Sequence, residues 1–215
     1  EAIFVRDDET GESWSPTPGP LPRSTTGRCV VHHGPGLTRF ARASHGIDHE
    51  LDIFVDASDP VKFSLLTLTN GGSAARTLSV FSYNEWVLGP PRSGDHLHVV
   101  TELDEAGRAI LARNTYNQEY VRHVAFAHAS EPVSSCTGDR RSFVGRHSDL
   151  SRPAALTFAA LSGSIGAGLD PCAALQVTCV LQPGERRQIV FLLGQGTDRG
   201  HARRLIADHR SVDAA

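Results

Sequence analysis

Two pairs of histidines, His32 with His33 and His96 with His98, are the first residues to read as chemistry. On one strand, residues 96 and 98 would share a face, as two ligands of one metal must. No third ligand follows at a recognisable spacing and H-E-x-x-H is absent, so structural or surface histidines are the plainer reading. Acid–base work needs two groups of separated pKa facing one cleft. His96 or His98 with Glu85 or Glu119 would satisfy that for a ring-opening, mutarotase-type reaction, but the sequence leaves their separation open. Nucleophilic catalysis has no support: Gly163-Ser164-Ile165-Gly166 lacks the G-x-S-x-G spacing. The glycine clusters at 34–36, 163–168 and 194–196 match neither a P-loop nor a dinucleotide fingerprint. No motif asks for a cofactor.

Binding a sugar makes different demands. An aromatic face covers the apolar side of the ring, and planar polar groups meet the hydroxyls. Trp14 lies in a proline-rich stretch beside Ser13, Ser15 and Thr17, and Trp86 ends a predicted strand just before Gly89-Pro90-Pro91-Arg92. A tryptophan at a strand end can be core, and that is the plainer reading of each. Asp139-Arg140-Arg141-Ser142-Phe143 reads as an ion pair that pins a loop, with Phe143 inserted beneath it. The alternative is that Arg140 or Arg146 reaches a substrate or a partner domain.

The elements that must position these residues are strands. Ile47, Leu51, Ile53 and Val55 alternate with Asp48, Glu50 and Asp52, which predicts a strand with one buried face. Val61 to Thr69 is a second strand, followed by an Asn70-Gly71-Gly72 turn and a third strand from Arg76 to about Leu88. Residues 98–103 and 108–113 form a hairpin around Asp104-Glu105-Ala106-Gly107, and Val121 to Ala129 is another strand. Ala173 to Leu181 and Gln188 to Leu193 flank Gln182-Pro183-Gly184-Glu185, the residue choice of a type II turn. One helix is predicted, capped by Asp198, with Ala202, Leu205, Ile206 and His209 at helical spacing. Residues 11–28, with four prolines, and 131–171, dense in Ser, Gly, Arg and Asp, read as irregular.

Composition sets the bounds. A length of 215 residues with 40% hydrophobic and 21% charged residues supports one large core without a disulfide framework. The formal net charge of −3 provides no basic field for a nucleic acid. No apolar run approaches the roughly 20 residues of a membrane span, and no signal peptide is visible. Cys29, Cys136, Cys172 and Cys179 form no C-x-x-C pair and read as reduced thiols; Cys172 and Cys179 would face opposite sides of one strand. With no methionine, even at position 1, the chain reads as an internal segment of a longer polypeptide.

Several ordered segments carry a resemblance. They are Arg6-Asp7-Asp8-Glu9-Thr10-Gly11-Glu12-Ser13-Trp14-Ser15-Pro16-Thr17, His33-Gly34-Pro35-Gly36-Leu37-Thr38-Arg39-Phe40, and Glu85-Trp86-Val87-Leu88-Gly89. Thr137-Gly138-Asp139-Arg140, Phe143-Val144-Gly145-Arg146, Gly168-Leu169-Asp170-Pro171-Cys172-Ala173-Ala174-Leu175-Gln176 and Phe191-Leu192-Leu193-Gly194-Gln195-Gly196 follow. Together they resemble the N-terminal β-domain of the inverting glycoside phosphorylases once grouped as glycosyltransferase family 36, with the cyclic β-1,2-glucan synthase branch nearest.

The resemblance implies an all-β, antiparallel two-layer super-sandwich of the galactose mutarotase kind over residues 1–197. Residues 198–215 would be one C-terminal helix and the start of a linker to a missing (α/α)6 catalytic barrel. The barrel would carry the general acid, so no residue here is expected to be catalytic. The implied setting is cytoplasmic, within a bacterial enzyme anchored in the inner membrane. Implied partners are a β-glucan oligosaccharide and that barrel, with a homodimer open and no nucleic acid or membrane contact by this domain itself. The His33–Arg39 segment resembles a loop that reaches a neighbouring active site, making His33, Thr38 and Arg39 candidate carbohydrate-binding residues beside Trp14, Trp86, Arg140 and Arg146.

Overall fold

The computed structural model describes residues 1–21, 28–89, 94, 96–104 and 108–211. Pro90–Arg92, Glu105–Gly107 and the last four residues of the anticipated linker lie outside them. In chain order the strands are β1 (Ala2–Asp7), β2 (Ser13–Trp14), β3 (Val30–Gly34), β4 (Leu37–Ser44), β5 (Ile47–Val55), β6 (Val61–Asn70) and β7 (Arg76–Glu85). They continue as β8 (Val99–Asp104), β9 (Ala109–Asn114), β10 (Val124–Ala129), β11 (Val133–Asp139), β12 (Pro171–Leu181) and β13 (Arg186–Gly196). Helix α1 (Arg140–Val144) follows β11, and α2 (Arg199–His209) follows β13.

The strands make two antiparallel sheets, one of five strands in the order β11-β12-β7-β1-β2 and one of eight in the order β3-β4-β5-β6-β13-β10-β9-β8. The anticipated two-layer architecture is therefore present. Its interior is the layer between the sheets, where Val5, Val80 and Leu175 of the small sheet meet Leu51, Leu66, Ile110 and Ile189 of the large one. Both sheets are also covered on part of their outer faces. On the small sheet, Phe143, Leu156 and Leu161 cover Phe4, Phe81 and Tyr83. Across the large sheet lies α2, burying Ala202, Leu205 and Ile206 on Phe63, Phe126 and Leu192.

Strands apolar on both faces follow from this double covering. In β12 the first seven residues are all buried. The odd spacing of Cys172 and Cys179 places the first thiol against the outer cover and the second in the interlayer. Buried polar groups in the same strand are paired: Gln176 Nε2 donates to Ser79 Oγ at 3.1 Å and to the Ala159 carbonyl at 3.1 Å.

Turn chemistry holds the registers. The β4–β5 hairpin turns on His45 and Gly46, both at positive φ (52° and 79°), as a two-residue turn of that twist requires. Gly184 has φ of 73° and the Glu185 N–H donates to the Gln182 carbonyl at 2.9 Å, so the Pro-Gly turn forms as the residues anticipate. Asp198 caps α2 by accepting from the His201 N–H at 2.8 Å. Close approach matters at Gly196, where a Cβ would lie 2.3 Å from the Ala202 nitrogen.

The structure departs from expectation in four places. Val55, anticipated on a buried face, is exposed at its strand end. The 131–171 stretch is not irregular throughout: it contains edge strand β11 and helix α1, whose cap Asp139 accepts from the Arg141 and Ser142 N–H groups at 3.2 Å. Asp139 is thus spent on the helix and does not pair with the arginines after it. Finally, His96 and His98 lie in a 3-10 turn, His96–His98, before β8, so they do not share a strand face.

Candidate functional site

Strand pairing decides which loops meet. Leu37 opposite Phe54, Val61 opposite Gly194, Val124 opposite Gly196 and Val99 opposite Asn114 define one end of the large sheet. Cys172 opposite Glu85 and Asp139 opposite Pro171 define one end of the small sheet. Asn114 Nδ2 donates to the Leu88 carbonyl at 2.8 Å, and the Thr101 N–H to the Gly166 carbonyl at 3.1 Å, so these two ends coincide.

At the opposite end the interlayer is bridged from sheet to sheet, and a concavity of about 750 Å³ lies outside it between Asp104, His128, Glu131 and Arg203. Asp7 is fully buried and ion-paired with Arg76, whose Nη1 also donates to the His45 carbonyl at 3.2 Å. Asn70 Nδ2 reaches across to the Leu181 carbonyl at 3.0 Å. Burial pushes the Asp7 carboxyl up, but the Thr10 N–H, Arg76 and the Glu9 N–H outweigh it and hold it below the usual range.

The open end carries two concavities of different character. The first, about 540 Å³, is lined by His96, Leu97, Asp139, Arg141 and Asp170 among others. Arg140 stands beside it: its Nε donates to Glu85 Oε1 at 2.8 Å and its Nη1 to Asp170 Oδ2 at 3.4 Å. The Tyr83 hydroxyl donates to the same Glu85 oxygen at 2.8 Å. Capping by Asp139 starts α1 at this point and leaves Arg140 to its partners on β7 and the 168–170 loop. Phe143, as anticipated, inserts beneath, stacked on Tyr83 with centroids 4.6 Å apart. Burial, then the bond to Glu85, drives the Tyr83 hydroxyl pKa upward, and Glu85 raises that of Arg140. This cluster is a fixed charge array, not a poised proton donor.

The second concavity, about 240 Å³, lies between the Val87–Gly89 loop and the 114–123 loop. Asn114, Asn117, Tyr120, His123 and Gln195 supply its polar lining. Between the two, the His98 ring stacks on Tyr116 at 4.4 Å. Of twelve exposed large hydrophobic side chains among the described residues, seven stand at this end: Leu37, Val55, Val87, Leu97, Tyr116, Tyr120 and Val121.

The candidates named from sequence divide accordingly. The tip of the His33–Arg39 segment is at the open end, but the segment is a β3–β4 hairpin at the edge of the large sheet. The tip stands three strands from Gly194, about 14 Å at ordinary strand spacing. His33 Nδ1 bonds Thr38 Oγ1 at 3.1 Å. Arg39 points to the outer face and grips Asp52 through two bonds of 2.6 Å, with Glu50 at 3.4 Å. Its pKa is raised by Asp52, so it is permanently cationic and already paired.

Trp14 and Trp86 are 3% and 4% exposed, inside the interlayer core, and offer no ring face to a sugar. Trp14 stacks on His45 at the bridged end, 4.7 Å away. Arg146 is exposed just after α1 and lines neither concavity. Among the described residues no group of three or more His, Cys, Asp or Glu gathers as metal ligands would.

Sequence reasoning passed over Tyr116, Asn117, Tyr120, His123 and Gln195. A signal was there: the run Asn114-Thr115-Tyr116-Asn117-Gln118-Glu119-Tyr120 holds two of the chain's three tyrosines among amides.

Comparison with known proteins agrees with the resemblance. Residues 1–212 match the glycosyl hydrolase 94 supersandwich domain. The chain is 34% identical over 212 residues to the cyclic β-(1,2)-glucan synthase NdvB of Rhizobium meliloti, covering 98% of this chain and 8% of the synthase. It is 33% identical over 218 residues to the solabiose phosphorylase of Paenibacillus borealis, covering 98% of this chain and 28% of that enzyme. The chain therefore spans under a third of the length of these curated relatives. A bacterial glucoamylase structure shares the fold, with a TM-score of 0.59, 7% identity, and coverage of 97% of this chain and 28% of the other. No helix among the described residues is long and apolar enough to cross a membrane.

Proposed function

This chain belongs to the glycosyl hydrolase 94 supersandwich family, and on that premise we propose that it handles a β-glucan for a catalytic domain without cleaving or transferring the sugar itself. The observation that carries the reading is the division between the two ends. At one end the interlayer is bridged by the Asp7–Arg76 ion pair and cross-sheet hydrogen bonds, and the concavity outside it is lined by Asp104, Arg108, Glu131 and Arg203 with few exposed apolar side chains. The other gathers two polar concavities and seven exposed apolar or aromatic side chains.

The non-catalytic part of the reading rests on protonation chemistry. A general acid must hold a proton near the leaving oxygen at working pH. The two carboxylates that line a concavity at the open end are already engaged, Asp139 by the Arg141 and Ser142 N–H groups and Asp170 by Arg140, and Glu85 beside them accepts from both Arg140 and Tyr83. The synthase's name supports a β-1,2-glucan as the ligand class, and the small share of both relatives that this chain covers supports a catalytic domain elsewhere in such enzymes as the partner.

A second reading, a docking module with no sugar affinity, draws on the same exposed apolar side chains, which suit a protein partner as well as a sugar. Titrating β-1,2-linked glucose oligomers into the chain, followed by amide NMR shifts, separates the two. Shifts at the open end support sugar handling. No shifts at millimolar sugar leave the docking module. Release of glucose 1-phosphate when glucan and phosphate are supplied would overturn the non-catalytic role.

A further inference from the structure

We infer that the Tyr120–His123–Gln195 concavity is a separate subsite for a single neutral pyranose ring, an assignment that rests on the carbohydrate reading above and sharpens it. Three observations carry it. The first is charge. Among the described residues lining this concavity there is no Asp, Glu, Lys or Arg. Its neighbour beside Arg140 is lined by Asp139, Arg141 and Asp170. A neutral wall of amides, a phenol and an imidazole favours a polyhydroxyl ligand over a phosphate or a phosphorylated sugar, which would call for cations.

The second is preorganisation. The 114–123 loop is polar and would be costly to order on binding. Its own side chains already hold it. Asn114 Oδ1 accepts from the Tyr116 and Asn117 N–H groups at 2.9 and 3.2 Å. Asn117 Oδ1 accepts from the Glu119 and Tyr120 N–H groups at 3.1 and 3.2 Å. The His123 N–H closes the turn on the Tyr120 carbonyl at 2.9 Å.

The third is the match of shape to a sugar. Tyr120 is 48% exposed, enough to cover the C–H face of a ring, with Val87 and Leu88 as further apolar lining. His123 stands edge-on to Tyr120 at 5.1 Å, and its Nδ1 is bonded to Gln195 Nε2 at 2.6 Å. With Gln195 donating to Nδ1, the imidazole proton sits on Nε2, a donor suited to a hydroxyl. The volume of about 240 Å³ is below the 300–1,000 Å³ of a drug-sized site, which fits one ring and not a chain of them.

The test titrates methyl β-glucopyranoside, glucose 1-phosphate and a β-1,2-linked glucose disaccharide into the chain and follows amide shifts. The expected result is millimolar binding of the neutral glucoside, with shifts at Tyr120, His123 and Gln195. Tyr120→Ala weakens it at least tenfold, and Tyr120→Phe, which keeps the ring face, stays within threefold of the parent. Unchanged spectra of the variants away from the loop exclude misfolding. Sugar shifts that survive Tyr120→Ala, or map to Arg140 or the β3–β4 hairpin, overturn the subsite while leaving the carbohydrate reading intact. Tighter binding of glucose 1-phosphate than of the glucoside also overturns it, and no shift with any of the three sugars sinks both.

Discussion

His49 supplies a quantitative test of the interlayer. It lies on β5 opposite Arg42 of β4 and is 3% exposed. Burial lowers its pKa, neither ring nitrogen has a hydrogen-bond partner among the described residues, and Arg42 and His45 add to the lowering, for a net shift from the ordinary 6.5 to about 4. The fold therefore holds the imidazole neutral, whereas the unfolded chain takes up a proton near pH 6.5. Stability from this group is complete above 6.5 and is lost as pH falls from 6.5 toward 4; below 4 both states are protonated and the loss levels off. At about 1.36 kcal/mol per pKa unit, the full loss is about 3 kcal/mol, of which about 2 kcal/mol is gone by pH 5. Urea unfolding at pH 7 and pH 5, read by tryptophan fluorescence, measures it. His49→Gln keeps a polar side chain without the titration, so its loss between the two pH values should be smaller than the parent's by about 2 kcal/mol. Parallel losses, or an NMR titration placing His49 near 6.5, would refute the assignment.

Other substitutions test the remaining supports. Gly196→Ala should destabilise the chain by ~1–3 kcal/mol, because the new methyl group overlaps the first turn of α2; hydrogen exchange confined to α2 would rise, and an unchanged midpoint would show the helix accommodates it. Phe143→Ala should cost about 3–5 kcal/mol in chemical unfolding, since the ring fills the layer between Tyr83 and Phe4, and a loss under about 1 kcal/mol would mean the cover is dispensable. For the Arg140–Glu85 pair, a double-mutant cycle with Arg140→Met and Glu85→Gln should give a coupling of about 1 kcal/mol, reflecting partial exposure; zero coupling would remove the pair as an organiser of the open end. Arg39→Ala should change stability by about 1 kcal/mol or less because Arg39 and Glu50 are each 42% exposed and only Asp52 is largely buried, so any larger loss of glucan affinity reports on the hairpin's role in binding.

Local order in this protein is written in its residues. Strand and helix spans follow from local rules. Period-two alternation marks Ile47–Val55, Pro-Gly sets the β12–β13 turn, and an Asp cap with apolar residues at helical spacing marks α2. Even the opposite facing of Cys172 and Cys179 is arithmetic along one strand. The β11–α1 segment escaped because an edge strand rich in Ser and Thr has weak alternation, and a five-residue helix shows too few turns for a pattern.

The site itself depended on pairing between distant segments. Nothing in the 114–123 loop announces that Gln195 will stand beside His123. That neighbourhood exists because β13 inserts between β6 and β10, bringing residues 72 positions apart within 2.6 Å. The same strand order sends Trp14 to the end beside His45 and sets Asp52 next to Arg39. Side-chain periodicity reports which face a residue takes, a property of its own strand. Which strand ends converge is decided by the long-range order of the sheets, which local residue choice does not encode.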